Sequence, residues 1–172
     1  MGKGTLIRAL LERVPELELS TSATTRRARP GETQGEDYWF LSDDEFAKRV
    51  DAGDFVEWAE YSGRRYGTLR EELERRTAAG IPVVLEIEVQ GARQIRQTMP
   101  EAVQIFITPP SHDALQTRLV GRGTDAPEEV ERRLRVADEE MAAQDEFGHV
   151  VVNDRLDDAA DELVRIVRSA LN

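Results

Sequence analysis

Residues 82–89, Pro82-Val83-Val84-Leu85-Glu86-Ile87-Glu88-Val89, form a nearly continuous apolar run that ends in acids. A run of that kind fits a strand buried on both faces, and such strands belong to parallel sheets covered by helices. Residues 102–107 and Val150-Val151-Val152 repeat the theme, closed by Pro109-Pro110 and Asn153-Asp154 respectively. Helical spacings lie between and around these runs. Leu6, Ile7, Leu10 and Leu11 share one face ahead of Pro15. Ser42 with Asp43, Asp44 and Glu45 reads as an N-cap and acidic first turn for a helix over 45–52. Thr68 is expected to cap a helix over 69–79, ended by Gly80. Ser111 opens a helix to residue 119, Pro127 a long charged one to about 144, and Asp157 the amphipathic final helix. Strands are expected over 17–20 and 55–61, with turns at Gly63 and Gly67 and a hinge at 121–124. Strand and helix alternate, which predicts an α/β fold with a three-layer core around a parallel sheet.

Two stretches depart from that alternation: a turn-rich one from about 22 to 66, and a charged arm from about 111 to 144. A chain of 172 residues makes one domain-sized unit. The net charge of −11 argues against a nucleic-acid backbone as partner, because that role needs a basic face. A local arginine cluster can still bind a small anion. With no cysteine, disulfides and thiolate metal sites are excluded. No apolar run reaches membrane-spanning length and no signal-peptide pattern opens the chain, so a cytoplasmic protein without membrane partners is expected.

Within the first excursion, residues 24–41 carry the chemistry: Thr24-Thr25-Arg26-Arg27-Ala28-Arg29-Pro30-Gly31-Glu32-Thr33-Gln34-Gly35-Glu36-Asp37-Tyr38-Trp39-Phe40-Leu41. Arginine's planar fork matches phosphate oxygens, and a tyrosine hydroxyl adds a donor. The Pro30-Gly31 break favours a folded loop that converges these groups on one anion. At the start of the chain, Gly2-Lys3-Gly4-Thr5 stands before an amphipathic helix, like the tail of a phosphate-binding loop.

Thr25, Arg26, Arg29, Glu32, Gly35, Tyr38 and Phe40 fill every position of the signature of guanylate kinases, which the chain resembles almost to its C-terminus. The resemblance implies a P-loop kinase core with a GMP-binding subdomain and a lid. On that basis one domain spans 1–172, with the core over 1–20, 72–111 and 145–172, the GMP-binding part over 21–71 and the lid over 112–144. The implied reaction is Mg2+-dependent transfer of a phosphoryl group from ATP to GMP, with dGMP as a further acceptor.

The resemblance also distributes roles. Arg26, Arg29, Glu32, Tyr38 and Tyr66 would serve the GMP phosphate. Glu57 would read guanine, with Ser22 and Thr68 as hydroxyl partners. Guanine offers N1–H and N2–H side by side, and a carboxylate accepts from both. From its residues alone, Glu57 reads more readily as a solvent-facing strand residue than as a base reader. Glu86 and Glu88 would lie near the GMP ribose, the base and the metal's water shell; the family usually has Asp at the second of these positions. Gly2, Lys3, Gly4, Thr5 and Asn153 would belong to the ATP site. Lys3, Arg26, Arg122 and Arg133 would be catalytic, with Arg122 and Arg133 brought over the ATP phosphates by the lid. Arg133 also reads as an ordinary helix-surface arginine beside Arg132 and Arg135. No side chain is assigned as a direct metal ligand, since Gly4 holds the usual Ser/Thr position. His112 and His149 are read as structural.

The family places a buried strand and the loop's first glycine before Gly2. By the motif's spacing, about ten or more further residues are therefore expected upstream, and Met1 is expected not to be the natural start. Two other readings compete. One is a binding module of guanylate-kinase-like fold whose donor loop is incomplete. The other is a kinase for a different nucleoside monophosphate, against which Glu57 argues, because adenine has no N1–H to donate.

Overall fold

The computed structural model describes residues 2–120 and 127–172. In chain order its elements are α1 (Lys3–Arg13), β1 (Glu18–Leu19), β2 (Ala23–Thr24), β3 (Trp39–Phe40), α2 (Asp43–Asp51), β4 (Phe55–Tyr61), β5 (Arg64–Leu69), α3 (Arg70–Ala78), β6 (Val83–Val84), α4 (Val89–Thr98), β7 (Ile105–Thr108), α5 (His112–Val120), α6 (Pro127–Ala142), a short 3-10 turn (Gln144–Glu146), β8 (His149–Val152) and α7 (Leu156–Leu171). They form two compact units, one of Met1–Val14 with Val103–Asn172 and one of Pro15–Ala102.

In the first unit, α1 and α7 pack through their apolar stripes, Leu6, Ile7 and Leu10 on one and Ala159, Ala160, Leu163 and Ile166 on the other. Arg13, in the last turn of α1, donates to Asp161 at 2.5 Å and Asp157 at 2.9 Å, which fixes the pair's register. β7 and β8 run parallel from Ile105 opposite His149 to Thr108 opposite Val152. Of the expected buried triad on β8, only Val151 is sealed, while Val150 and Val152 are exposed. Both belong to a strand that pairs only with β7 among the described residues. Leu115 of α5 and Ala137 of α6 are buried together with Leu134 and Met141 against them, and His112 meets Asp138 at 2.9 Å. The hinge expected at 121–124 lies outside the described residues.

The second unit contains a parallel pair, β1 with β6, and a four-stranded sheet of order β3-β2-β5-β4. The run at 82–89 becomes a strand only at Val83–Val84, because β1 supplies just two residues to pair with it. Its apolar residues are half-buried rather than sealed.

The four-stranded sheet was only partly expected. β4 forms as read, but β5 replaces the turn predicted around Gly67. The turn at Gly63 is real: Ser62 at φ 52° and Gly63 at φ 71° join Tyr61 to Arg64 in a tight hairpin. Two successive left-handed residues give the twist that matches paired strands. Gly67 instead serves close approach, since a Cβ there would lie 2.7 Å from the Phe55 ring and 2.9 Å from the Glu57 carbonyl. Thr68 is likewise a strand residue, and Leu69 stands at the N-cap of α3 without a side-chain cap. Ser42 does cap α2. Its hydroxyl accepts from the Glu45 N–H at 3.2 Å, and the Glu45 carboxylate accepts from the Ser42 N–H at 2.8 Å.

One irregularity organises this sheet. Phe55 opposes Leu69, but the next pair is Glu57 with Thr68, so Val56 is an extra residue in β4. Without the bulge, Phe55 and Glu57 would face the same way. With it, Phe55 and Trp58 join Phe46 of α2, where Phe46 and Phe55 stack at 4.4 Å. Val56 turns to the other face, against Leu73 of α3 and Ile95 of α4, and Glu57 follows it. A bulge thereby re-aims a side chain. Burying a residue such as Phe46 completely contributes about 1.5–3 kcal/mol to holding that arrangement.

Candidate active site

The loop over residues 24–41 is held together by its own hydrogen bonds. Arg26 donates two parallel hydrogen bonds to Glu32, at 2.9 and 2.8 Å, and a third to the Arg27 carbonyl at 2.8 Å. Glu32 also accepts from the Arg29 N–H at 2.7 Å. This closes the turn across Pro30-Gly31, with Gly31 at φ 90°. The Arg26 bond holds the Glu32 carboxyl below its ordinary range, with the Arg29 N–H acting in the same sense, and Glu32 in turn raises Arg26. The guanidinium lies 5.1 Å from the centre of the Tyr38 ring and 5.7 Å from that of Phe40. Tyr38 meets Tyr66 edge-on at 6.3 Å. Burial raises the Tyr38 hydroxyl's pKa, and the Glu86 carboxylate adds to that rise. Arg26, Glu32, Tyr38, Tyr66 and Glu86 therefore share one electrostatic neighbourhood, to which the loop spacing pointed only for Arg26, Glu32 and Tyr38. Arg29 is exposed at its edge.

Ser22 is half-buried, and its carbonyl accepts from the Trp39 N–H at 2.9 Å, which ties the start of the loop to its end. Thr24 and Thr25 anchor the same loop to β5. The Thr24 hydroxyl donates to the Arg65 carbonyl at 3.0 Å, and the Thr25 hydroxyl accepts from the Arg65 N–H at 3.0 Å.

Glu57 is buried, only 3% exposed, so the solvent-facing alternative is set aside. Its Oε1 accepts from the Thr68 hydroxyl at 2.7 Å. Burial pushes its pKa up to about 6; the Thr68 bonds pull against that, and the nearby Glu88 carboxylate adds to it. A buried carboxylate poised near neutrality, with one oxygen held and a second acid beside it, is a frequent property of recognition sites. Thr68, expected also to cap a helix, does not cap α3 and instead bonds Glu57 from within β5.

In the other unit, Gly2 is the N-cap of α1 with φ 79°, and Lys3 opens the helix. A Cβ on Gly2 would lie 2.9 Å from the Asn153 side-chain nitrogen, so Gly2 and Asn153 are neighbours. Asn153 is buried at the end of β8, where its N–H reaches the Thr108 carbonyl at 2.8 Å. Gly4 and Thr5 are exposed on the first turn of α1. Helix N-termini attract anions because their N–H groups point outward unpaired. Arg122 lies outside the described residues. Arg133 falls on α6, with its side chain outside them.

Two residues escaped the sequence reading. Gly91, third in α4, lies against Glu57, and Gln94 binds the Trp58 backbone. A glycine one turn into a helix that follows strand-end acids was the available signal.

Comparison with known proteins agrees with these features. The family model described as "Guanylate kinase" matches residues 1–170. A guanylate kinase of Prochlorococcus marinus is 53% identical over 163 residues, 95% of this chain and 86% of that protein. One from Streptomyces coelicolor is 50% identical over 166 residues, 96% of this chain and 84% of that protein. The crystal structure of guanylate kinase from Anaplasma phagocytophilum superimposes with a TM-score of 0.81 at 34% identity, covering 96% of this chain and 80% of that one. With the family model matched over residues 1–170, relatives at about half identity and a superimposed guanylate kinase structure, the protein belongs to the guanylate kinase family.

Proposed function

We propose that the chain transfers the γ-phosphoryl group of ATP to GMP, giving ADP and GDP. The observation that carries this reading is Glu57, buried and bonded to Thr68 in the same unit as the Arg26–Tyr38–Tyr66 cluster. One part suits the guanine edge and the other suits a phosphate. The names of the relatives support catalysis over a pure binding role. In this reading residues 21–71 serve the acceptor nucleotide, 112–144 form the lid, and the remainder is the core.

Arg26, Arg29, Tyr38 and Tyr66 would hold the GMP phosphate. The exchange of Glu32 for phosphate on Arg26 would keep that guanidinium paired throughout. Glu57 would accept from guanine N1–H and N2–H while Thr68 holds its other lone pairs, with Ser22 on the same base. Glu86 and Glu88 would face the ribose and base. Gly2, Lys3 and Thr5 at the N-terminus of α1, with Asn153 beside them, would bind ATP. Lys3 and the lid's Arg122 and Arg133 would stabilise the charge of the transferring group. Open space at Gly4 and the exposed Thr5 hydroxyl fit a hydrated Mg2+ that arrives on the ATP phosphates. When bound, Mg2+ neutralises phosphate charge. The protein needs no covalent nucleophile. This reaction belongs to nucleotide metabolism in the cytoplasm.

ADP formation measured with GMP, dGMP, AMP and UMP as acceptors tests the reading. GMP and dGMP should be used well and AMP and UMP poorly; equal use of AMP would overturn it. Arg29→Ala should raise the GMP Michaelis constant about tenfold or more, for the loss of one charge-assisted contact.

A further inference from the structure

Glu57 can read a base only if its carboxylate is held in one place, and the contacts that hold it come from two directions. On one side Oε1 is fixed 2.7 Å from the Thr68 hydroxyl. On the other side stands α4. A Cβ built on Gly91 would lie 2.0 Å from Glu57 Oε2 and 2.9 Å from its carboxyl carbon. Any side chain at 91 would therefore displace the carboxylate, and Thr68 leaves it no room to slide the other way without losing its bond.

The strand carrying Glu57 is held by the same helix. β4 is the outer strand of its sheet. There the Gln94 amide donates to the Trp58 carbonyl at 2.6 Å and accepts from the Trp58 N–H at 3.1 Å. These are the two bonds a further strand would supply at an open edge. Gln94 thus pins the peptide next to Glu57, while Gly91 makes room for its head group.

We infer that Gly91 and Gln94 are positioning residues for base recognition, and that α4 through them sets how strongly the protein prefers a 2-amino purine nucleotide over one lacking that group. The inference rests on Glu57 as the guanine reader. Neither residue touches the base. A carboxylate moved by a new methyl group loses its bond to N2–H as well as that to N1–H. GMP must then suffer more than IMP, which has N1–H but no 2-amino group.

Dissociation constants for GMP and IMP, measured by calorimetry on the full chain and on Gly91→Ala, Gln94→Ala and Glu57→Ala, test this, with thermal unfolding as a check on the fold. Gly91→Ala should weaken GMP about tenfold or more and IMP about threefold or less, the scale set by one or two lost hydrogen bonds to a charged acceptor. Gln94→Ala should move the ratio the same way by a smaller factor, and it carries the test if Gly91→Ala does not fold. Alanine in a helix interior ordinarily stabilises relative to glycine, so a loss of GMP preference without a fall in melting temperature supports a positioning role. Folded variants that keep the wild-type GMP-to-IMP ratio, or weaken both ligands equally, overturn the inference. If Glu57→Ala loses the preference while the α4 variants keep it, only the positioning inference fails. If Glu57→Ala also keeps it, the guanine-reading assignment fails and this inference falls with it.

Discussion

Replacing Glu57 by glutamine should make the protein more stable at neutral pH and worse at binding GMP. The residue is 3% exposed, and its pKa stands at about 6 against an ordinary 4.5. The folded chain thus holds a proton on Glu57 that the unfolded chain releases between those two values. Unfolding loses protons in that window, so the stability that Glu57 contributes falls as pH rises from about 4.5 through about 6. A rise of that size makes the ionised side chain cost the fold about 2 kcal/mol above pH 7. Glutamine keeps the shape and can accept the Thr68 hydrogen bond, and it does not titrate. Its extra amide hydrogens cost something if unmatched, but that cost is the same at every pH. The change with pH isolates the carboxylate. Urea unfolding of both proteins at pH 5 and pH 7.5 should show the variant gaining on wild type by about 1–2 kcal/mol between the two conditions. GMP affinity should meanwhile fall at least about tenfold, since one of two paired acceptors becomes a donor. A stability difference that is flat from pH 5 to pH 7.5 would refute the reasoning, because Glu57 would then titrate normally.

Thr68→Val removes the hydroxyl that holds Glu57 down in pKa. The acid limb of GMP binding, expected near pH 6 in wild type, should move to higher pH in this variant, as read from calorimetric titrations across pH 5–8. Ser42→Ala breaks the capping box of α2. It should cost about 1 kcal/mol, lowering the melting temperature by about 2–4 °C and leaving GMP affinity unchanged.

The sequence discloses most where a signal is local. The Ser42 cap, β4, the final helix and the convergence of Arg26, Glu32 and Tyr38 all rest on residue types within a few positions of one another. β5 was hidden because Arg64-Arg65-Tyr66-Gly67 has the composition of a turn. Only its place between β2 and β4 makes it a strand, and that is a tertiary fact. β2 and β3 have two residues each, too few to show a period. The run at 82–89 has the right composition for a long strand, yet pairing decides strand length, and β1 provides two partners. For the site, the residues on the loop could be named from spacing, whereas Gly91 could not. Its role depends on an atom of Glu57 more than thirty positions away.

The extra residue at Val56 makes the hairpin intolerant of changes in length. Deleting Val56 would keep Glu57 on its present face but empty the packing site on Leu73 and Ile95, whereas straightening the strand with every residue kept would drive Glu57 in beside Phe46 and Phe55 and turn Trp58 away. Grafting a straight, idealised strand onto this sheet would do the same. Four residues of β4, 55–58, thus stand against three of β5, 67–69, and that mismatch keeps Glu57 and the aromatic cluster on opposite faces.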